Sequence, residues 1–207
     1  MSKPRRSSGS WRERQERDPF VVRARSEGWR SRAVYKLEQI DRKEKLLRPG
    51  MVVVDLGAAP GSWSQYVTET LKGRVRIIAL DILEMDALPS VEFIQGDFRE
   101  DEPLQELEAA LGDERADLVM SDMAPNISGN RSVDQPRSMY LVELAMDLCE
   151  RALKKGGDFV CKLFQGEGSD AFIAAAKQRF GRVRVMKPEA SRPGSREVYL
   201  VARNYRL

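Results

Sequence analysis

The chain has 207 residues, 42% of them hydrophobic, which suits one domain whose packed core needs neither disulfides nor a structural metal. It has no histidine and only two cysteines, Cys149 and Cys161, which excludes imidazole bases, His-based triads and the common zinc sites, so proton transfer falls to Lys, Asp, Glu or Tyr. The net charge of +3 hides an asymmetry, because residues 1–30 carry nine cations against four acids and the remainder is slightly acidic.

Residues 1–29 are expected to form a basic, partly disordered arm, and residues 30–207 the globular domain. The arm points to a polyanionic partner, with nucleic acid first, and Trp11, Phe20 and Trp29 are rings able to stack on bases. No stretch approaches the roughly 20 apolar residues that cross a bilayer, and the start lacks an apolar signal region. Both cysteines lie in apolar surroundings and read as buried free thiols, so a cytoplasmic protein with no membrane contact is expected.

The first element is a helix over 31–47, with Ser31 as its cap and Pro49–Gly50 as its stop. Strand and helix then alternate. MVVVDLG (51–57) is a strand, SWSQYVTETL (62–71) a helix, and RVRIIALDI (74–82) and VEFIQGD (91–97) two more strands. PLQELEAALG (103–112) is a helix, ADLVMSD (116–122) a strand, and SMYLVELAMDLCERAL (138–153) a helix ended by Gly156–Gly157. DFVCKLF (158–164) is a strand and SDAFIAAAKQRFG (169–181) a helix capped by Ser169. RVRVMKP (182–188) and EVYLVAR (197–203) close the chain as strands. This alternation predicts an α/β, Rossmann-like fold with a mostly parallel sheet and helices on both faces.

Ligands of such sheets bind beyond the C-terminal strand ends. The residues there are Asp55 to Gly57, Asp81, Asp97, Asp122 and Lys162. DLGAAPGSW is glycine-bearing but is neither GxGxxG nor a P-loop, which disfavours a dinucleotide. Asp81 ends the second strand, where an acid takes the ribose hydroxyls of an adenosine. Asp97 ends the third, where a carboxylate accepts from an exocyclic amine, although a turn residue is the plainer reading. Lys162 is the one charge among Phe159, Val160, Cys161, Leu163 and Phe164, and either snorkels from the strand end or does chemistry.

DLGAAPGSWSQ, SDMAPNISG, FQGEG and SREVY, in this order between about Arg30 and about Ala202, resemble the FtsJ/RrmJ family of ribosomal RNA 2′-O-methyltransferases. The resemblance implies a seven-stranded sheet with an antiparallel last strand and S-adenosyl-L-methionine as cofactor, with no metal. It carries cofactor contacts onto Gly61, Trp63, Asp81, Asp97 and Asp122, with Ser62 standing where glycine is common. It also carries a Lys–Asp–Lys–Glu tetrad onto Lys36, Asp122, Lys162 and Glu197.

The strand order expected for the fold sets Asp122 and Lys162 at neighbouring parallel strand ends, with Glu197 starting the antiparallel strand on the same rim. A buried lysine beside another ammonium gives up its proton more readily, so Lys162 next to Lys36 suits either base or oxyanion stabiliser for a ribose hydroxyl. The implied target is a uridine ribose of 23S ribosomal RNA in the large ribosomal subunit, and a monomer is expected. Transfer RNA or a messenger cap is the alternative substrate. A silent RNA-binding module and a dinucleotide-dependent dehydrogenase fit the tetrad and the first loop less well. The loops 123–138 and 187–196, with Arg192, Arg196, Arg30 and Arg32, are the expected phosphate contacts.

Overall fold

A computed structural model describes residues 17–206. In chain order the elements are α1 (Pro19–Glu27), α2 (Val34–Glu44), β1 (Met51–Leu56), α3 (Ser62–Thr70), β2 (Val75–Asp81), β3 (Val91–Gln95), α4 (Asp101–Leu111), β4 (Ala116–Ser121), α5 (Arg131–Ala152), β5 (Leu153–Phe164), α6 (Ser169–Arg179), β6 (Phe180–Met186) and β7 (Glu197–Tyr205). The strands form one sheet in the order β3-β2-β1-β4-β5-β7-β6. β1 to β5 pair in parallel, and β7 runs antiparallel to both β5 and β6. This is the predicted mostly parallel sheet with an antiparallel last strand. Strand order reverses direction between β1 and β4, which opens the crevice where such sheets bind ligands.

The strand sequences explain the layers. All six residues of β1 are buried, because both of its faces are covered by helices. Val52, Val54 and Leu56 join Phe159, Cys161 and Leu163 of β5 in a core closed by α4, α5 and α6. Met51 and Val53 join Val160, Tyr199 and Val201 in the opposite core, closed by Leu37 and Ile40 of α2 and Trp63 and Val67 of α3. Side chains alternate along a strand, so Lys162 falls on the Val160 face, under α2. Cys149 and Cys161 are buried free thiols.

Several boundaries differ from those expected. Residues 1–16 of the basic arm, with Trp11, lie outside the described residues. The rest of it contains α1, capped by Asp18 and packed on the domain: Ala24 is buried with Val34, Tyr35 and Ala190, and Phe20 meets the Tyr35 ring. Ser31 does not cap α2, which starts after Ala33; its hydroxyl accepts from Ala33 N–H at 3.2 Å and pairs with that of Ser62. α5 begins at Arg131, capped by Asn130, although Pro136 lies inside it and removes one ladder donor. The loop after β4 is correspondingly shorter. Gly156–Gly157 does not end this helix but lies within β5. Ser169 is the first residue of α6 rather than its cap.

Arg32 holds α1 in place. Its guanidinium pairs with the Asp18 carboxylate and donates to the Ala190 carbonyl, and both side chains of the ion pair are mostly buried. Arg32→Ala leaves the Asp18 carboxylate without its ionic partner. We expect it to cost about 2–3 kcal/mol in urea unfolding, the range for a charged hydrogen bond lost in a buried setting. A change under about 0.5 kcal/mol would show that α1 is held by other contacts.

Candidate active site

The β1–α3 loop comes first. Gly57 has φ +72, and a Cβ there would lie 2.7 Å from Met123 Cγ, so only glycine lets the two loops meet. Gly61 has φ +103 and sits directly before α3, whose ladder starts with Gln65 N–H donating to the Gly61 carbonyl at 2.8 Å. The amides of Ser62, Trp63 and Ser64 therefore stand outside that ladder at the positive end of the helix. The Trp63 indole donates to the Ala33 carbonyl at 2.9 Å and packs against Tyr199 with ring centroids 5.8 Å apart. Its side chain is core, and its backbone amide is what it can offer a ligand.

Arg30 clamps this loop. Its guanidinium donates to the carbonyls of Pro60 (3.0 Å), Asp86 (2.7 Å) and Ala87 (3.0 Å), tying the first loop to the segment after β2. Asp81, at the end of β2, accepts from Ala59 N–H and Leu83 N–H, both at 2.9 Å. Each carboxylate oxygen keeps a lone pair for a further donor. Ile82 and Leu83 beside it are 57% and 63% exposed, an apolar flank open to solvent. Pro60, Glu84, Met85, Asp86, Phe93 and Gln95 line an adjoining cavity of about 550 Å³. Asp97 is grasped by Arg99, with Nε 2.9 Å from Oδ1 and Nη2 2.5 Å from Oδ2. Those bonds hold its carboxyl below the usual range, and an exocyclic amine would share this acceptor with Arg99.

The four tetrad positions meet on the rim. Lys162 Nζ lies 3.0 Å from Asp122 Oδ1 and donates to the Asp122 carbonyl at 2.9 Å. Lys36 Nζ, from α2, lies 2.7 Å from Glu197 Oε1. Tyr199 joins the two pairs. Its hydroxyl donates to Asp122 Oδ1 at 2.6 Å, with Glu197 Oε1 3.3 Å away, and Lys36 Nζ stands 5.7 Å from its ring centre. Ser191 donates to Glu197 Oε1 at 2.9 Å.

Burial alone would push the Asp122 carboxyl up. The ammoniums of Lys162 and Lys36 and the Tyr199 hydroxyl outweigh it and hold the group below its ordinary value. Glu197 is likewise lowered, burial being overcome by Lys36 and Lys162. Burial, and then the two carboxylates, push the Tyr199 hydroxyl far up, so it stays a donor. Tyr199 and Ser191 went unread in the sequence. The signal for Tyr199 was its place two residues after Glu197 on an alternating strand, which puts both on one face.

Three of the arginines expected at phosphates are engaged elsewhere. Arg30 and Arg32 are the struts described above, and Arg196 donates to Gln135 Oε1 (3.1 Å) and the Gln165 carbonyl (2.9 Å). Arg192 is exposed and makes no ion pair among the described residues, and the loop before α5 holds Ile127 at 60% exposure. No group of three or more His, Cys, Asp or Glu that could hold a metal occurs among the described residues.

A family profile described as FtsJ-like methyltransferase matches residues 29–205. The chain is 54% identical over 202 residues to ribosomal RNA large subunit methyltransferase E of Legionella pneumophila (strain Corby), covering 98% of each. It is 57% identical over 201 residues to the protein of that name from Dichelobacter nodosus, covering 97% of this chain and 96% of that one. Among solved structures it is similar to a chain described as a ribosomal RNA methyltransferase from Plasmodium falciparum, with a TM-score of 0.78 and 33% identity over 86% of this chain and 98% of that chain. MycE methyltransferase of the mycinamycin pathway, in complex with Mg and SAH, shares the fold at a TM-score of 0.56 and 13% identity, covering 99% of this chain and 59% of that one.

Asp55 lies under the first loop, 1% exposed. Oδ2 accepts from Ser64 Oγ at 2.7 Å and Oδ1 has no partner. Burial, only partly offset by the Ser64 bond, raises its carboxyl to about 7. Unfolded, it titrates near 4. Between those values the folded state holds the proton and the unfolded state does not, so this group costs stability as pH rises from about 4 to about 7, and the whole cost remains above that. Asp55→Asn should therefore gain stability over the parent on going from about pH 5 to about pH 8 in urea unfolding. A difference between the two proteins that does not change with pH would contradict this.

Proposed function

This chain belongs to the FtsJ-like methyltransferase family, and on that footing we propose that it transfers a methyl group from S-adenosyl-L-methionine to the 2′-oxygen of a uridine ribose in 23S ribosomal RNA of the large ribosomal subunit. The observation that carries the proposal is the linked cluster Lys36–Glu197–Tyr199–Asp122–Lys162 on the rim of the sheet. The large-subunit names of the relatives favour ribosomal RNA over transfer RNA or a messenger cap.

The cofactor fits the residues present. The amides of Ser62 and Trp63 at the start of α3, outside the helix ladder, suit its carboxylate. Asp81 has spare acceptor capacity for ribose hydroxyls, and Ile82 and Leu83 give an apolar flank for a base. Asp97 and Asp122 complete the expected contacts. When bound, the sulfonium supplies a methyl carbon that is already activated. What the protein adds is position and electrostatics.

Asp122 engages Lys162 Nζ through its carboxylate and its carbonyl, which leaves one position on that nitrogen for the ribose 2′-oxygen. As the neutral amine Lys162 has its lone pair there to take the hydroxyl proton, and as the ammonium it has an N–H there to offset the charge that grows as the proton leaves. Asp122 and Tyr199 fix the direction of the Lys162 ammonium. Glu197 and Ser191 fix Lys36, whose charge adds to the positive field over the acceptor. None of these residues needs a metal.

Labelled-methyl transfer to large ribosomal subunits, free 23S RNA and transfer RNA tests the reading, and we expect label in the ribosomal substrates. Transfer RNA as the preferred acceptor would overturn the substrate assignment. Lys162→Ala should lower turnover by at least about 100-fold while the cofactor still binds in calorimetry. Near-normal turnover would remove Lys162 from the chemistry. Tyr199→Phe should keep cofactor affinity and lower turnover about tenfold, the value of one hydrogen bond to a charged group. An unchanged rate would reduce Tyr199 to packing.

A further inference from the structure

We propose that the edge of the sheet opposite the reactive rim carries a second anion site, which takes a backbone phosphate of the RNA; its assignment to RNA rests on the function proposed above. The site is a cavity of about 270 Å³ lined by Arg48, Gly156, Asp158, Arg182, Arg203 and Asn204. Gly156 and Asp158 lie near the start of β5 and Lys162 near its end. The regular strand from Asp158 to Lys162 separates the two places by roughly 13 Å.

The cavity is built from fixed groups. Arg203 donates twice to Asp158 Oδ2, at 3.1 and 3.0 Å, and once to the Glu44 carbonyl at 2.6 Å. Arg182 pairs with the Glu44 carboxylate, which also holds Arg184 at 3.1 Å. The Glu44 side chain is 1% exposed, so these guanidiniums are anchored from below. Asn204 has φ +62 and donates its backbone N–H to Asp158 Oδ1 at 3.1 Å, which brings its side-chain amide to the wall.

The charge does not balance. Asp158 pairs with Arg203 and Glu44 with Arg182, so of the three arginines that line the cavity Arg48 is left over. Arg48 makes no ion pair among the described residues, and neither do the exposed Lys45 and Lys155 beside this edge. A plainer reading covers part of this: arginines on the outer strand β6 protect a sheet edge from pairing with another chain. That accounts for Arg182 and Arg184 but not for an unpaired Arg48 on the cavity wall. A concave cluster of excess positive charge, with planar guanidiniums held in place, matches a phosphate oxyanion. An RNA that reaches it while its ribose sits at Lys162 must pass round the sheet from one edge to the other. An oligonucleotide of two or three residues confined to the rim would not reach.

The test is Arg48→Glu, which breaks no ion pair, with Lys177→Glu as a charge-matched change on α6, which packs against the other face of the sheet. Affinities for 23S RNA and for a short single-stranded oligonucleotide are read by fluorescence anisotropy over a range of salt. We expect Arg48→Glu to weaken 23S RNA binding about tenfold and to flatten its salt dependence by about one unit of slope, with oligonucleotide and cofactor affinities kept. Binding of 23S RNA within about twofold of the parent would overturn the proposal, as would an equal loss for Lys177→Glu, which would mean net charge alone. The binding readout does not depend on methyl transfer, so absence of transfer to ribosomal RNA would sink the function reading and leave this comparison standing.

Discussion

The antiparallel pairing of β7 with β5 sets Lys162 opposite Tyr199 and Phe164 opposite Glu197. Everything on the rim depends on that register. It puts Lys162, Tyr199 and Glu197 on one face, where α2 brings Lys36 down onto them. A one-residue slip would turn Tyr199 and Glu197 to the other core and replace them with apolar neighbours. A parallel last strand would start at the wrong end of the sheet, and its first residue could not meet the cluster. The one reversed strand is thus what lets a carboxylate at a strand start join groups at strand ends.

The same register explains how a nearly dry site tolerates four charges. Asp122 and Glu197 are close and largely buried, and two lone carboxylates there would repel. Two ammoniums and one tyrosine hydroxyl stand between and beside them, and that neutralisation holds both acids in their charged form. Asp55 shows the contrary case a strand away. It has one hydroxyl donor and no cation, and its carboxyl moves the other way. Asp55 is the more deeply buried, and it has no cation to offset that burial.

Most of the sheet was legible in the sequence because its strands are continuous apolar runs, which a parallel sheet covered on both faces requires. Asp81, Asp122 and Lys162 were legible for a related reason, as charges that end such runs. The rest depended on contacts made across the fold. The segment around α1 reads as a charged arm, and only Ala24, Phe20 and the Asp18–Arg32 pair make it a docked helix. Pro136 argues locally against the early start of α5, yet Asn130 caps it and Gln135 bonds to the Phe164 and Glu167 carbonyls, both at 3.0 Å. Arg30 and Arg196 look like free cations in one dimension and are bound to backbone carbonyls in three. Tyr199 looks like one more aromatic strand residue until its hydroxyl is seen between two acids.

The Arg30 clamp has a consequence for how this molecule can vary. Its three acceptors belong to the loops on either side of the crevice at the C-terminal ends of β1 and β2, while its own backbone sits just after α1 and donates to Gln65 Oε1 at 3.1 Å. The crevice is therefore cross-braced by the stretch of chain that precedes the sheet. Domain borders usually tolerate insertions and length changes because little depends on them. Here the border is a structural tie, so tolerance should begin only upstream of α1, and the junction between helix and domain should be among the least adjustable lengths of the chain.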